Sequence, residues 1–278
     1  MVYLCGEKKM SIPILNSVKA IEHQYQTGEE PVLVMCTDLN AYVCKYMRST
    51  AIPYKLVSEL IGSEMARIWR FNSPESAIVR IKPDHWNGLR LSHSLSAPAF
   101  GSKKKMGVID VTPTTISEIE DTPLMFAQLL YIALFDFWLA NEDRNANNAN
   151  LMYDIVKHLF VPIDYGCIFN TATYDYSLSQ LTMTDSILSS ELFDMLLAKY
   201  KDSVPAHVAN LNRDYGINLF RCKEKVFEII SQIPAEWNVP KEVIANKVNE
   251  LFKRDWYERV WLNFMDCLSE KVNIWPVH

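Results

Sequence analysis

The segment from Leu124 to Ala140 is apolar almost throughout, interrupted by Gln128 and Asp136. Thr122-Pro123 in front of it reads as a helix start, with threonine as the N-cap and proline in the first turn. A helix with Met125, Phe126, Leu129, Leu130, Ile132, Leu134, Phe135, Phe137 and Trp138 spread around it has no face for water, so it belongs in the centre of a lobe. The run is short for a bilayer span and carries an acid, which argues against membrane insertion. With 278 residues the chain has the length for one large domain or two lobes.

This helix runs directly into Asn141-Glu142-Asp143-Arg144-Asn145-Ala146-Asn147-Asn148-Ala149-Asn150. Asparagine forms helices and strands poorly and is costly to bury unpaired, so the stretch is a loop. Two short apolar runs follow, Leu151-Met152-Tyr153 and Phe160-Val161-Pro162-Ile163, spaced as a hairpin that ends on Asp164-Tyr165-Gly166. Such a hairpin brings Asp164 back beside the loop that carries Asp143 and Asn148. Two readings of the loop stand at this point. It is either an asparagine-rich loop held by Asx-turns, or an acid, an amide five residues on and a second acid before a glycine, the arrangement of a metal-dependent phosphoryl-transfer site.

In the first part of the chain, Gly28-Glu29-Glu30-Pro31 marks a turn and Val32 to Cys36 a strand. Thr37-Asp38-Leu39-Asn40 is a polar hairpin turn, and Ala41 to Tyr46 the returning strand. Tyr42, Cys44 and Tyr46 share one face of that strand, and Val43 and Lys45 the other. Lys45 is then either a phosphate-binding point charge or an edge-strand gatekeeper, with Lys82 as the alternative lysine. Tyr54 to Phe71 has helical spacing through Leu56, Leu60, Ile61, Met65 and Ile68, with Glu59 beside that stripe. Glu59 can lie in solvent or turn inward to a strand lysine. A further strand follows at Ala77 to Ile81. Lys82 to Asp121 reads as a loop-rich connector, with Phe100-Gly101-Ser102 in its middle.

From residue 185 onward the pattern is helical: a helix opened by Asp185-Ser186, then Arg221 to Ile230, Lys241 to Phe252 and Trp256 to Leu268. The spacing therefore predicts an α+β chain in two parts. Residues 1–120 form a small β-rich N-lobe with its connector, and residues 121–278 a larger, mainly helical C-lobe.

A net charge of −5 and a pI near 5.7 disfavour nucleic acid as the main ligand, and Lys103-Lys104-Lys105 is the single basic run. Cys5, Cys36, Cys44, Cys167, Cys222 and Cys267 are scattered without zinc-ligand spacing, as expected of reduced thiols in a cytoplasmic protein. The first residues lack a signal-peptide pattern.

Taken in order, Lys45 within Tyr42-Val43-Cys44-Lys45-Tyr46, Glu59 within Leu56-Val57-Ser58-Glu59, the Asn141-Glu142-Asp143-Arg144 loop with Asn148 and Asn150-Leu151-Met152, and Ile163-Asp164-Tyr165-Gly166 resemble the motifs of the HipA-like kinases. More distantly they resemble the phosphatidylinositol kinases, which share the D-R-x-x-x-N pattern. The resemblance implies a two-lobed protein-kinase-like fold and an ATP- and Mg²⁺-dependent kinase that transfers the γ-phosphoryl group to a serine or threonine hydroxyl of a protein. Lys45 then contacts the nucleotide phosphates and Glu59 orients it by an ion pair. Asp143 is the catalytic-loop acid for the substrate hydroxyl. Asn148 is the metal-ligating amide by its offset of five from Asp143. Asp164 holds Mg²⁺ against the phosphates, and Gly166 permits a sharp backbone turn.

Three positions depart from the pattern. Asn145 stands where many relatives carry histidine, so the loop's internal hydrogen bonding is expected to differ. Thr37 to Asn40 has no glycine to let the backbone cradle phosphates. Asn150 competes with Asn148, because it directly precedes the Leu-Met strand. The chain starts close to the small lobe, so the extra N-terminal domain of full-length HipA toxins is expected to be absent. An antitoxin or regulatory protein is a further partner under this resemblance. Two other functions fit the same motifs: a nucleotide-binding pseudokinase acting as an interaction module, and a small-molecule or lipid kinase.

Overall fold

The computed structural model describes residues 11–49, 51–86 and 97–272. Cys5 and residues 87–96 of the expected connector lie outside them. The first sheet contains β1 (Ile14–Asn16), β2 (His23–Gln24), β3 (Val32–Met35), β4 (Ala41–Lys45), β5 (Ser76–Arg80) and β6 (Ala99–Lys103), in the order β1-β5-β6-β4-β3-β2. β1 runs parallel to β5, and the other pairs are antiparallel. Helix α1 (Tyr54–Ile68) connects β4 to β5.

The alternation read in β4 is realised. Tyr42, Cys44 and Tyr46 are buried in an apolar cluster with Val32, Val34, Val79 and Trp86, while Lys45 turns to the opposite face. The segment read as the middle of a loop is instead β6, which sits between β4 and β5. Its composition misleads because glycine here answers a packing demand. A Cβ on Gly101 would lie 2.7 Å from Val79 Cγ2 and 3.3 Å from Tyr42 Cδ1, so a larger residue would push its neighbours aside.

Helix α2 (Pro123–Leu139) is the central element of the second lobe. The Thr122 hydroxyl caps it, accepting from the Met125 N–H at 3.2 Å. Leu129, Leu130, Ile132, Leu134, Phe135 and Trp138 are all fully buried although they point in different directions. Each such side chain contributes about 1.5–3 kcal/mol relative to exposure. Around it lie α4 (Glu191–Tyr200), α5 (Val204–Ser231), α6 (Lys241–Glu250) and α7 (Arg254–Val272). The two tryptophans at the contact with the last helices are bonded: Trp138 Nε1 donates to Leu251 O and Trp256 Nε1 to Trp138 O, both at 3.0 Å. The helix expected from Asp185 opens later. Short 3₁₀ turns cover Met183–Asp185 and Ile187–Ser189, and Ser190 caps α4 by accepting the Phe193 N–H at 3.1 Å.

A second sheet, in the order β7-β8-β9, is made of β7 (Val108–Asp110), β8 (Leu151–Asp154) and β9 (Leu159–Pro162). β8 and β9 are the expected hairpin; β7 comes from the segment read as connector. The main apolar core runs from α1 (Leu60, Ile61, Met65) through α2 to α5 and α7, so the lobes are packed across one another. The result is the α+β, two-lobed architecture expected from the sequence. Among the described residues no helix is long and apolar enough to cross a membrane, and Cys36, Cys44, Cys167, Cys222 and Cys267 are free thiols.

Candidate active site

The loop after α2 is fixed by a buried hub. Ala140 closes the helix in a left-handed conformation, φ 50°, and the Asn141 N–H returns to Asp136 O at 2.9 Å. Asp136 accepts from Asn141 Nδ2 and from Arg144 Nε, both at 2.8 Å. Arg144 Nη1 reaches the carbonyls of Asn150 and Ile163, and its guanidinium lies 5.2 Å from the centre of the Tyr165 ring. Asp136 and Arg144 have no exposed side-chain surface. Burial raises the Asp136 pKa, against the pull of Arg144 and Asn141. One guanidinium thus ties the loop, the start of β8 and the Asp164 segment together. In the sequence Asp136 stands out only as an interruption of the apolar run; the signal it carries is an acid on an otherwise buried helix, eight residues before an arginine.

Within the loop, Asn145 makes internal bonds of its own. Its Nδ2 donates to Glu142 O and its Oδ1 accepts the Asn147 N–H, both at 3.0 Å. Asn150 adopts φ 43° and donates through Nδ2 to Asp143 Oδ2 at 3.0 Å, which leaves its Oδ1 without a partner among the described residues. Asn148 is exposed, and its carbonyl accepts the Asn145 N–H at 3.0 Å. The structure therefore brings Asn150 to Asp143, and Asn148 not.

The other half of the site gathers three segments. Lys45 Nζ bonds Glu59 Oε1 and lies 2.8 Å from Asp164 Oδ1. The second oxygen of Glu59 accepts the Tyr165 N–H at 3.1 Å. So Glu59, beside the apolar stripe of α1, has turned inward. Burial raises its pKa to about 8; Lys45 lowers it and Asp164 raises it. For Asp164 burial would again raise the pKa, but Lys45 together with hydrogen bonds from Glu59, Lys45 and the Gly166 N–H brings it to about 2. Lys82, the alternative lysine, is exposed, with its N–H on Ser17 Oγ at 2.9 Å.

Two glycines shape this junction. The left-handed residue is Asp164, φ 60°, and not Gly166. Gly166 serves by its size: a Cβ there would lie 3.2 Å from Glu59 Oε1, 3.5 Å from Asp164 Oδ1 and 3.8 Å from Lys45 Nζ. On α1, a Cβ at Gly62 would lie 2.4 Å from Tyr165 Cβ, so that helix can approach the Asp164 segment only without a side chain.

The loop facing Lys45 also differs from the expected one. β3 pairs with β4 from Val32↔Cys44 to Met35↔Ala41, so the Thr37–Asn40 turn lies at the far end of the hairpin from Lys45. At about 3.4 Å per residue that end is more than a nucleotide's phosphate away. The near loop joins β2 to β3 over residues 25–31, and it does hold a glycine, Gly28. Its Glu29 Oε2 lies 3.0 Å from Lys45 Nζ.

After Gly166 the chain enters α3 (Ile168–Ala172), which from Phe169 to Ala172 is wound left-handed, φ 51–60°. Non-glycine residues disfavour this by roughly 1–2 kcal/mol each, so the surroundings must impose it. Glu142, next to Asp143, does so: it accepts from Asn170 Nδ2 at 2.8 Å and from Thr171 Oγ1 at 2.7 Å.

Comparison with known proteins bears on this arrangement. A family model described as HipA-like kinase matches residues 18–261. No curated protein matches the chain. Among solved structures, the Helicobacter pylori proinflammatory kinase CtkA is similar at 12% identity and TM-score 0.49, covering 92% of this chain and 99% of that one. The Golgi casein kinase is similar at 10% identity and TM-score 0.42, covering 91% and 74%. With the family model spanning nearly the whole of both lobes, the chain belongs to the HipA-like kinase family.

Proposed function

We infer that this chain is an ATP- and Mg²⁺-dependent kinase that transfers the γ-phosphoryl group to a serine or threonine hydroxyl of a protein. The observation that carries the reading is the meeting of Lys45, Glu59 and Asp164, residues from a strand, a helix and a loop, at one point between the lobes. Lys45 supplies a fixed positive charge for the nucleotide phosphates, and Glu59 holds it in place. Burying Glu59 unpaired would be expensive, and a surface lysine would not require it.

The metal fits the donors present. Asp164 keeps 34% of its side chain exposed, and the Asn150 Oδ1 is free, so a carboxylate and an amide oxygen are available to a hard cation. We assign the amide ligand to Asn150 rather than Asn148, because Asn150 is the one held against Asp143. When bound, Mg²⁺ neutralises charge on the β- and γ-phosphates. Asp143, whose Oδ2 is taken by Asn150, presents its other oxygen to orient the substrate hydroxyl and accept its proton. The loop facing Lys45 holds Gly28, so the lack of glycine at Thr37 to Asn40 does not weigh against phosphate binding at Lys45. The free thiols suit a cytoplasmic setting.

The test is transfer from radiolabelled ATP to a generic protein substrate or to the chain itself, with and without Mg²⁺, followed by phosphoamino-acid analysis. Label on serine or threonine that disappears in Asp143→Ala is expected. Nucleotide binding without any transfer would leave a pseudokinase, and label on a lipid or small molecule alone would reassign the substrate.

A further inference from the structure

A second lysine reaches the same cleft. Lys55, in the first turn of α1, places Nζ 3.2 Å from Glu29 Oε1, while the other oxygen of Glu29 lies 3.0 Å from Lys45 Nζ. One carboxylate thus bridges two ammonium groups. Lys45, Lys55 and Glu29 line a single cavity of about 350 Å³ together with Thr171 of the left-handed turn. Cys167 borders the same neighbourhood: its thiol is pushed up to about 11, mainly by burial and then by Asp143, with Lys55 opposing.

Glu29 is the member of this cluster with the weakest hold. Glu59 also accepts the Tyr165 N–H, and Asp164 the Gly166 N–H, but the Glu29 carboxylate has no partner besides the two lysines among the described residues. Lys45 already faces Glu59 and Asp164. A polyphosphate chain with one phosphate directed at each lysine makes the same pair of charge-assisted contacts with more charge. The loop that carries Glu29 is itself tethered, since Arg48 bonds Glu30 Oε2 at 2.6 Å and Gly28 O at 3.2 Å.

We propose that Lys55 extends the phosphate site of Lys45 to the terminal phosphate of a nucleoside triphosphate, and that Glu29 bridges the two lysines in the nucleotide-free chain. This rests on the kinase reading above. Nucleotide entry then requires the 25–31 loop to withdraw Glu29, and Lys55 discriminates a triphosphate from a diphosphate.

The test is calorimetric binding of Mg·ADP and of the non-hydrolysable triphosphate Mg·AMP-PNP to the wild-type chain and to Lys55→Met, Lys55→Arg and Glu29→Gln. Lys55→Met is expected to weaken Mg·AMP-PNP about tenfold, the scale of one charge-assisted contact, and Mg·ADP by less than about twofold. Lys55→Arg should restore most of the triphosphate affinity. Glu29→Gln should tighten Mg·AMP-PNP by about three- to tenfold, because the competing charge is gone. Equal effects of Lys55→Met on both nucleotides, no effect on either, or weaker triphosphate binding in Glu29→Gln would overturn the subsite while leaving the kinase reading intact. A wild-type chain that binds neither nucleotide would overturn both.

Discussion

Asp136 and Arg144 meet with no exposed side-chain surface, whereas Lys45, Glu29 and Asp164 meet with 14%, 31% and 34% of theirs exposed. The first cluster joins residues eight apart in sequence, and every charge in it has a neutral hydrogen-bond partner as well: Asn141 for the aspartate, two backbone carbonyls for the arginine. The second joins residues 119 apart and crowds three carboxylates around one ammonium. A closed, matched pair holds a shape. An open, over-acidic one is arranged to be completed by something else, and the metal–nucleotide pair proposed above would supply both the missing cation and the anion for the lysines.

The comparison breaks most severely at the hub. Arg144→Ala leaves Asp136 as an uncompensated buried charge, so unfolding free energy should drop by about 3–5 kcal/mol in denaturant titrations. If Arg144→Ala unfolds like the wild type, the hub is not a scaffold. Asp164→Ala is expected to behave in the opposite sense. Its side chain is partly solvated, so losing its contacts with Lys45 should cost clearly less stability than Arg144→Ala, while transfer falls by about 10²–10³-fold, the scale for losing a preorganised charge at a reacting group. A stability loss there as large as that of Arg144→Ala would erase the distinction between the clusters.

How far each cluster was legible in the sequence follows from its geometry. α2, its Thr122 cap and the β8–β9 hairpin are written in local periodicity, and so the placement of Asp143 and Asp164 near one another could be read directly. The inward turn of Glu59 could be read only as one of two options, because a helix period gives the face and not what packs on it. β6 was misread because Gly101 and Ser102 have turn composition, while the demand for a small residue comes from Val79 and Tyr42 on neighbouring strands. The loop facing Lys45 was misplaced for a similar reason: strand register, not strand identity, decides which end of a hairpin is near. An offset of five residues likewise cannot say whether Asn148 or Asn150 points inward, since Asn150 is turned by a positive φ.

Two glycine substitutions sharpen the link between the clusters. Gly62→Ala would force its new Cβ against Tyr165, the ring under the Arg144 guanidinium and the neighbour of Asp164. It should cost about 1–3 kcal/mol by overpacking and also reduce transfer. Gly216→Ala, on α5 where a Cβ meets nothing within 4 Å, should instead stabilise by about 0.5–1 kcal/mol and leave transfer unchanged. Equal destabilisation by both would mean that Gly62 is ordinary helix glycine.

The smallest expected effect is in pH dependence, and it separates the two carboxylates bound to Lys45. Glu59 is raised to about 8 from an ordinary value of 4.5, so the folded chain binds its proton more tightly than the unfolded chain. Its contribution to stability is present below pH 4.5 and is lost as pH rises through 8. Asp164, lowered to about 2 from 3.8, contributes stability above pH 3.8 that is lost as pH falls toward 2. The melting temperature of the wild type should therefore decline between pH 5 and 8, by roughly 2–4 °C for each kcal/mol lost, and Glu59→Gln should remove that slope while keeping the acid limb. A decline that persists unchanged in Glu59→Gln would place its source outside the Lys45 cluster and would mean that Glu59 is ionised throughout, held by Lys45 as firmly as Asp136 is held by Arg144.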